Sequence, residues 1–319
     1  MSPNPKAAYQ LEVTYKVNKD AINYLATDDA LETGLYEAWF PLNFDYGKFT
    51  YTLNFKEVNN NILASNGYSK CHKDLCTLYS DEPDIDLILM ASPTLLRYQV
   101  ESTNYNIELT RLKSNRENAP SLESQIKETI QFYTHNFGAL PDETTRFQFV
   151  FSPRDSGPSY SRNGFVVLTN FEQKSDKELL HVLSHEIAHL WWNLAPKTTW
   201  EDWLNESFAE YSAIMSSEAL HDHASKKQKI AELAKLSQNL PVIKGLRRDN
   251  SEAQQVLYIK GPFILHQMRE KVGDEAFIRW LQQIRLDKVT TTAELIILTE
   301  RELGKDNARF LMLKLSQKT

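Results

Sequence analysis

Apolar and polar residues alternate along several short stretches in the first third of the chain. In residues 11–17 and 49–55 every second side chain is apolar, which is the period of a strand with one buried face. Turn-forming residues such as Asn66-Gly67 lie between these stretches. Further strands are expected at residues 62–64, 76–79, 85–91 and 105–112. Many short strands separated by turns predict an antiparallel sheet or sandwich.

The pattern changes after a polar stretch at residues 111–118, which has little to bury. A helix is expected to begin at Ser121, and after it come two strands and then helices to the end of the chain. We therefore predict an α+β fold with two domains. The first is an antiparallel β domain over residues 1–113, and the second is a mostly helical domain over residues 114–319.

Composition narrows the class of protein. Of the 319 residues, 41% are hydrophobic and 24% are charged, and the formal net charge is −6, which is typical of a soluble globular protein. No basic run with interleaved aromatic residues is present, so we expect no nucleic-acid partner. The most apolar stretch, residues 85–96, contains Asp86 and Pro93 and is too short to span a membrane.

The sequence does not decide between a cytoplasmic and an exported protein, and it does not predict an oligomeric state. Residues 1–6 show no apolar core of an export signal, so the protein is either cytoplasmic or exported with its signal already removed. Two cysteines, Cys71 and Cys76, flank a short polar segment and could form a hairpin disulfide in an oxidising compartment or stay as free thiols. The alternative to a disulfide or free thiols is a metal site that uses His72, but the sequence offers no further ligands nearby.

The strongest chemical signal is the pattern H-E-x-x-H at residues 185–189. Two histidines four residues apart lie on one face of a helix, so both imidazoles can reach one Zn²⁺. Glu186 lies beside the open side of such a metal, where a carboxylate can take a proton from water. Ser175 and Glu178 form a predicted capping box at the start of this helix, which is expected to run through Trp192.

A second helical segment follows, and it contains Glu206 and Glu210. Glu206 is separated from His189 by 16 residues, and a glutamate from a second helix commonly completes a zinc site of two histidines and one carboxylate. Glu210 is expected to accept the outer N–H of a ligand histidine. His181 lies one turn before His185, where we expect a packing or hydrogen-bonding role.

Three motifs in this order resemble the M1 family of zinc peptidases, the gluzincins with a thermolysin-like catalytic domain. The motifs are H-E-I-A-H-L-W-W-N at 185–193, W-L-N-E-S-F-A-E-Y at 203–211 and Y-I-K-G at 258–261. The resemblance implies that one zinc ion is bound by His185, His189 and Glu206. It also implies that Glu186 is the general base and that Tyr258 hydrogen-bonds the oxyanion.

The resemblance predicts a zinc-dependent enzyme that hydrolyses peptide bonds in peptide or protein substrates. It also predicts that the first domain corresponds to part of the M1 N-terminal β domain. Two alternatives are a non-catalytic binding or scaffold protein with this fold, and a zinc hydrolase that acts on a non-peptide substrate. Intact Glu186 and Tyr258 argue against the non-catalytic alternative.

One departure from the family bears on specificity. Aminopeptidases of the family carry a G-x-M-E-N segment whose glutamate holds the free amine of the substrate, and in this chain Ser161 occupies the matching position. The resemblance therefore supports a metallopeptidase better than it supports an aminopeptidase. The loop between His189 and Glu206 is also shorter than the family usually has. Residues 165–168 are the expected edge strand beside the substrate.

Overall fold

The computed structural model describes most of the chain. The described residues are 14, 16, 25–27, 30–37, 39–42, 47–56, 62–102, 105–112, 119–140, 146–154, 156–169, 174–220 and 223–318. Most of the strand predicted at residues 11–17 and most of the polar stretch at 111–118 therefore lie outside the described residues.

Two small antiparallel sheets form the first part of the fold. Their strands are β1 (Leu25–Ala26), β2 (Leu31–Thr33), β3 (Phe49–Lys56), β4 (Ile62–Ala64), β5 (Tyr68–His72), β6 (Leu75–Asp84) and β7 (Leu89–Ser92). One sheet has the order β1-β2-β7-β4 and the other has the order β3-β6-β5. Strand β3 alternates between half-buried and exposed side chains, as its sequence predicts. Cys71 and Cys76 face each other across β5 and β6 and are joined by a disulfide.

A third sheet supports the rest of the molecule. It contains β8 (Leu95–Val100), β9 (Asn106–Leu112), β10 (Arg146–Phe151), β11 (Tyr160–Arg162) and β12 (Phe165–Leu168), in the order β11-β12-β10-β9-β8. Strands β9, β10 and β12 run parallel, while β8 and β11 are antiparallel to their neighbours. All four side chains of β12 are buried, as expected for a parallel strand that is covered on both faces.

Helices account for most of the chain after this sheet. They are α1 (Ala119–Phe137), α2 (Asp176–Ala188), α3 (Trp203–Leu220), α4 (His223–Leu236), α5 (Ala253–Gln255), α6 (Gly261–Val272), α7 (Asp274–Leu286), α8 (Thr292–Leu303) and α9 (Lys305–Ser316). A π-helical turn, Val256–Lys260, connects α5 to α6. Short 3-10 turns occur at Leu35–Glu37 and Trp200–Asp202. The predicted α+β class is confirmed. Within the described residues, no helix has the length and apolarity needed to cross a membrane.

The third sheet corrects the prediction about the edge strand. Residues 165–168 are β12, which lies between β10 and β11, so the free edge belongs to β11. The reason is the turn at Asn163-Gly164, where both residues have positive φ (41° and 83°). Such a turn folds β11 and β12 into a tight hairpin. The Asn-Gly pair is itself a sequence signal for such a hairpin.

The third sheet also crosses the predicted domain boundary at residue 113. Strands β8 and β9 precede this residue, yet β9 pairs with β10 from Asn106 opposite Arg146 to Arg111 opposite Phe151. We propose that a division of the chain falls instead between β7 and β8. The two small sheets would then form the first unit, and the third sheet with the helices would form the second.

The core beside helix α2 is rich in aromatic side chains. Trp191 and Trp203 are 2% and 0% exposed, and their indole N–H groups donate to Gly138 O at 2.9 Å and to Thr292 Oγ1 at 2.7 Å. Trp192 donates to Ser212 Oγ at 2.9 Å. A buried indole with its N–H satisfied stabilises the packing around it. These tryptophans are therefore part of the core beside the ends of α2 and α3.

Candidate metal centre

Helix α2 begins as its sequence predicts. The Ser175 side chain accepts from the backbone N–H of Glu178, and the Glu178 side chain accepts from the backbone N–H of Ser175. This capping box satisfies two of the amide groups that a helix leaves free at its start. The helix ends at Ala188, earlier than the predicted end at Trp192, because the chain continues into a tighter turn. His189 therefore lies at the C-cap with helical φ of −62°.

Three candidate ligands converge between α2 and α3. Glu206 Oε2 lies 3.5 Å from His185 Nε2 and 3.6 Å from His189 Nε2. One ligand atom from each of the three residues lies within 4.8 Å of the others. Zinc ligands at about 2.1 Å in a tetrahedron are separated by about 3.4 Å. The spacing and the donor types therefore fit a zinc ion.

The outer nitrogen of each histidine is held by a different kind of acceptor. His185 Nδ1 lies 3.1 Å from Glu210 Oε2, and His189 Nδ1 lies 3.1 Å from the Trp192 carbonyl oxygen. When Nδ1–H donates outward, Nε2 is the nitrogen with the free lone pair. Both Nε2 atoms are then able to bind a metal beside Glu206.

Burial alone would favour protonated carboxyl groups at this site. The two ligand histidines nevertheless hold the pKa of Glu206 well below its ordinary range. In the same way, His181 and His185 lower the pKa of the buried Glu210. Both glutamates are therefore carboxylates near neutral pH, the form that can bind a metal or accept from an imidazole.

Glu186 behaves differently. Burial raises the pKa of this glutamate, and the neighbouring charges of His185 and His189 only partly oppose that effect. Its side chain is 6% exposed, and its Oε2 atom has no hydrogen-bond partner among the described residues. A buried acceptor without a partner, beside three converging ligands, fits a site built to receive a water molecule.

Tyr258 reaches the same centre from the π-helical turn. Its hydroxyl donates to Glu206 Oε2 at 2.5 Å, and its ring stacks on the His185 ring with centroids 5.3 Å apart. π-Helical turns are rare and often occur at functional sites. In this chain the turn brings a residue 52 positions beyond Glu206 into contact with it.

The edge strand β11 (Tyr160–Arg162) presents no acidic side chain. Ser161, the residue predicted from the sequence to match the family's amine-binding glutamate, is 6% exposed. The next residue, Arg162, is also buried and forms an ion pair with Asp86 at 3.0 Å. Its positive charge acts to lower the pKa of Glu186. Arg162 was missed in the sequence because its partner lies 76 residues earlier.

Comparisons with known proteins agree with this geometry. Residues 160–294 match the family model described as the peptidase family M1 domain. A curated aminopeptidase N of Streptomyces lividans is 29% identical over 162 residues, which cover 46% of this chain and 17% of that protein. An aminopeptidase N of Lactococcus lactis subsp. lactis is 29% identical over 145 residues, 39% of this chain and 16% of that protein. The chain thus spans less than a fifth of the length of these relatives.

Solved structures show that the fold is shared. An M1 zinc metallopeptidase from Deinococcus radiodurans has a TM-score of 0.72 at 18% identity, with 93% of this chain and 72% of that chain covered. A two-domain M1 zinc metallopeptidase variant bound to L-arginine has a TM-score of 0.69 at 19% identity, with 89% and 67% covered.

The chain shares its fold with M1 zinc metallopeptidases of known structure. Residues 160–294 match the M1 peptidase domain, so the resemblance predicted from the three sequence motifs is confirmed. The roles of the individual residues are a separate question.

Proposed function

We propose that this chain hydrolyses peptide bonds and that His185, His189 and Glu206 hold one zinc ion. In this proposal Glu186 is the general base and acid, and Tyr258 stabilises the oxyanion. The observation that carries the proposal is the convergence of two imidazole Nε2 atoms and one carboxylate oxygen at metal-ligand spacing. The buried, unpartnered oxygen of Glu186 beside them supports it.

In the proposed reaction, the metal and Glu186 have different roles. Zinc, when bound, supplies a Lewis acid that polarises a carbonyl and increases the acidity of water. Glu186 has a raised pKa and a free acceptor, so it can take a proton from the attacking water and deliver it to the leaving amine. One carboxyl group thereby acts first as a base and then as an acid.

Tyr258 is placed to act on the charge that develops during attack. Its hydroxyl is a donor within reach of a ligand oxygen, close to where the carbonyl oxygen of a bound peptide would become negative. Such preorganised donors are worth about 2.7–4 kcal/mol in comparable sites. Burial and the nearby glutamates raise the pKa of Tyr258 well above its ordinary value, so the hydroxyl keeps its proton.

We further propose that the enzyme does not require a free amino terminus in its substrate. Ser161 is uncharged, and the neighbouring Arg162 is cationic, so strand β11 itself offers no anion for a substrate ammonium group. The curated relatives are aminopeptidases, and strict aminopeptidase activity is therefore the competing specificity.

The test of the catalytic proposal compares the wild type with Glu186→Gln, and Glu232→Gln on the exposed face of α4 serves as the matched control. Peptide-library digestion in the presence of zinc is followed by mass spectrometry. We expect Glu186→Gln to keep its zinc and to lose about 10²–10⁴-fold in kcat. Turnover at the wild-type rate would refute the role of Glu186. A wild-type protein that binds no zinc would refute the proposal and favour a binding or scaffold role.

The test of specificity uses matched peptides with free and acetylated amino ends. We expect both to be cleaved, with kcat/KM values within about tenfold of each other, which corresponds to 1.4 kcal/mol. If acetylation abolishes all cleavage, the enzyme is an aminopeptidase whose amine site uses other residues. Zinc-dependent hydrolysis of esters or epoxides without any peptide cleavage would favour a non-peptide substrate.

A further inference from the structure

His181 lies one helical turn before His185 on the same face of α2. Its Nε2 atom is 2.8 Å from Glu210 Oε1, while His185 Nδ1 is 3.1 Å from Glu210 Oε2. The two oxygens of one carboxylate are therefore shared between two imidazoles on adjacent turns. Residues four apart on a helix are neighbours, so one glutamate on α3 can contact both.

Glu210 depends on these two contacts. Its side chain is 8% exposed, and within the described part of the chain the two imidazoles are its only hydrogen-bond partners. A glutamate side chain has several rotatable bonds and loses about 1.5–2 kcal/mol of conformational freedom when it is fixed. A single hydrogen bond to His185 would leave the second oxygen buried without a partner, which carries a cost of its own.

His189 shows why the two ligand histidines need different support. Its Nδ1 donates to the main-chain carbonyl of Trp192, and a main-chain group within a hydrogen-bonded turn has little freedom to move. His185 instead donates to a side chain, and the orientation of that side chain must itself be fixed. His181 supplies this second contact from the half-exposed rim of the site, where its side chain is 27% exposed.

We propose that His181 is a positioning residue for the metal centre. It holds Glu210 in the orientation in which the other carboxylate oxygen accepts from His185 Nδ1, and it thereby directs His185 Nε2 toward Glu206. The inference rests on the proposed function, because it assumes that His185 binds zinc. His181 itself lies outside the group of three converging ligands.

The experiment is a double-mutant cycle read by zinc affinity, with zinc alone as the probe and a chelator as the competitor. The proteins are the wild type, His181→Ala, Glu210→Ala and the double variant. Loss of an outer partner typically costs 10–100-fold in metal affinity, and we expect this for Glu210→Ala. We expect about three- to tenfold for His181→Ala, and no further loss when it is added to Glu210→Ala, because coupled sites are not additive.

Two variants separate positioning from a general effect on the helix. His181→Gln places an amide donor near the position of Nε2 and should restore most of the zinc affinity. Lys177→Gln, at an exposed position on α2, should bind zinc as the wild type does. Thermal unfolding of the zinc-free proteins should show little difference between His181→Ala and His181→Gln. If His181→Ala does not fold, His181→Leu of similar volume takes its place in the cycle.

Several outcomes would overturn the inference. Wild-type zinc affinity in His181→Ala, or losses that add fully in the double variant, would remove His181 from the metal centre while the proposed function stands. Equal losses in His181→Gln and His181→Ala would do the same. A wild-type protein without zinc affinity would instead refute the proposed function, and this inference with it.

Discussion

At the scale of single residues, Tyr258 is the group whose chemical role can be isolated most cleanly. Tyr258→Phe removes only the hydroxyl, and the ring that stacks on His185 stays in place. We expect kcat to fall by about 10²–10³-fold, the usual cost of losing one oxyanion donor. The zinc content should stay unchanged, because the hydroxyl donates to Glu206 and is not counted among the ligands. Steady-state kinetics and elemental analysis provide the two measurements.

A second tyrosine serves as the control for this substitution. Tyr211 is also buried, and its hydroxyl lies 3.2 Å from His266 Nδ1, outside the metal centre. Tyr211→Phe removes the same atom and should leave kcat near the wild-type value. An unaltered kcat in Tyr258→Phe would exclude the tyrosine from the mechanism.

The convergence of His185, His189 and Glu206 could be predicted because these residues lie close together in the sequence. The separation of His185 from His189 follows from helix geometry, and Glu206 lies on the next helix along the chain. The contacts of these residues were less predictable. The approach of Tyr258 to Glu206 and the pairing of Arg162 with Asp86 depend on how distant segments pack, and a single sequence carries no local signal for such packing.

At the scale of elements, the start of α6 must approach α3 unusually closely. A Cβ atom added at Gly261 would lie 1.9 Å from Ser207 Oγ and 2.5 Å from Ser207 Cβ. The Ser207 hydroxyl donates to the Leu257 carbonyl at 2.7 Å, which ties α3 to the turn that carries Tyr258. We expect Gly261→Ala to destabilise the protein by about 1–3 kcal/mol, as overpacking usually does.

The same substitution should also reduce activity, because the turn must move and Tyr258 moves with it. Denaturant unfolding and kcat are the measurements. Ser207→Gly removes both clashing atoms. The double variant Gly261→Ala with Ser207→Gly should therefore have a higher kcat than Gly261→Ala alone. The single variant Ser207→Gly sets the kcat that the double variant can reach. If Gly261→Ala matches the wild type in both measurements, close packing of α6 on α3 is not required.

A partly buried ion-pair cluster connects α3, α4 and α6. Glu218 lies 2.8 Å from Lys226 and 3.1 Å from Arg269. Burial would raise the pKa of Glu218, but the two cations outweigh burial and lower it below its ordinary value of 4.5. A carboxyl group whose pKa is lower in the folded state than in the unfolded state stabilises the folded state at pH values above the unfolded-state pKa. This stabilisation is lost as the pH falls.

We therefore expect Glu218→Gln to be less stable than the wild type at pH 7, and the difference to shrink as the pH falls below about 4.5, the ordinary pKa of the carboxyl group. Urea unfolding across this pH range measures the difference. Glu232→Gln, on the exposed face of α4, is the matched control, and its stability at pH 7 should be close to that of the wild type. A difference between the wild type and Glu218→Gln that stays constant with pH would contradict the role given to these cations.

Elements were predicted best where their ends carry a chemical signal. The capping box at Ser175 and Glu178 was predicted and is present, because two side chains close in sequence determine it. The end of α2 and the position of the free strand edge were predicted incorrectly. The first depends on the tighter turn that follows Ala188, while the second depends on the Asn163-Gly164 hairpin.

At the scale of the whole molecule, the α+β class could be predicted from the pattern of strands and helices, but the predicted boundary at residue 113 falls inside a sheet. Parallel strands must be joined by a long crossover, and α1 is the crossover from β9 to β10. The polar stretch before α1 has the composition of a linker between domains, yet it connects two strands of one sheet. The pairing of those strands is non-local, so composition alone could not reveal it.

The small sheets are joined to the third sheet by buried polar contacts as well as by apolar packing. Glu32 on β2 forms an ion pair with Arg154 at 2.9 Å, and both side chains are at most 2% exposed. Glu32 also accepts from the Tyr160 hydroxyl at 3.2 Å and from Ser152 Oγ. Tyr160 begins the edge strand β11, next to Ser161. One buried carboxylate thus connects the first sheet to the strand that borders the metal centre.

Arg154→Met tests this connection, because it leaves Glu32 buried without its cation. Breaking a buried pair from one side typically costs about 3–5 kcal/mol, whereas replacing both partners with apolar groups is often close to neutral. We therefore expect Arg154→Met to be strongly destabilised and Arg154→Met combined with Glu32→Leu to recover much of the stability.

The double variant still lacks the Tyr160 contact, so β11 should be held less firmly. Its KM for peptides should rise while its zinc affinity stays at the wild-type level, because no metal ligand lies on β11. A double variant with wild-type KM would show that the edge strand is fixed by its pairing with β12 alone.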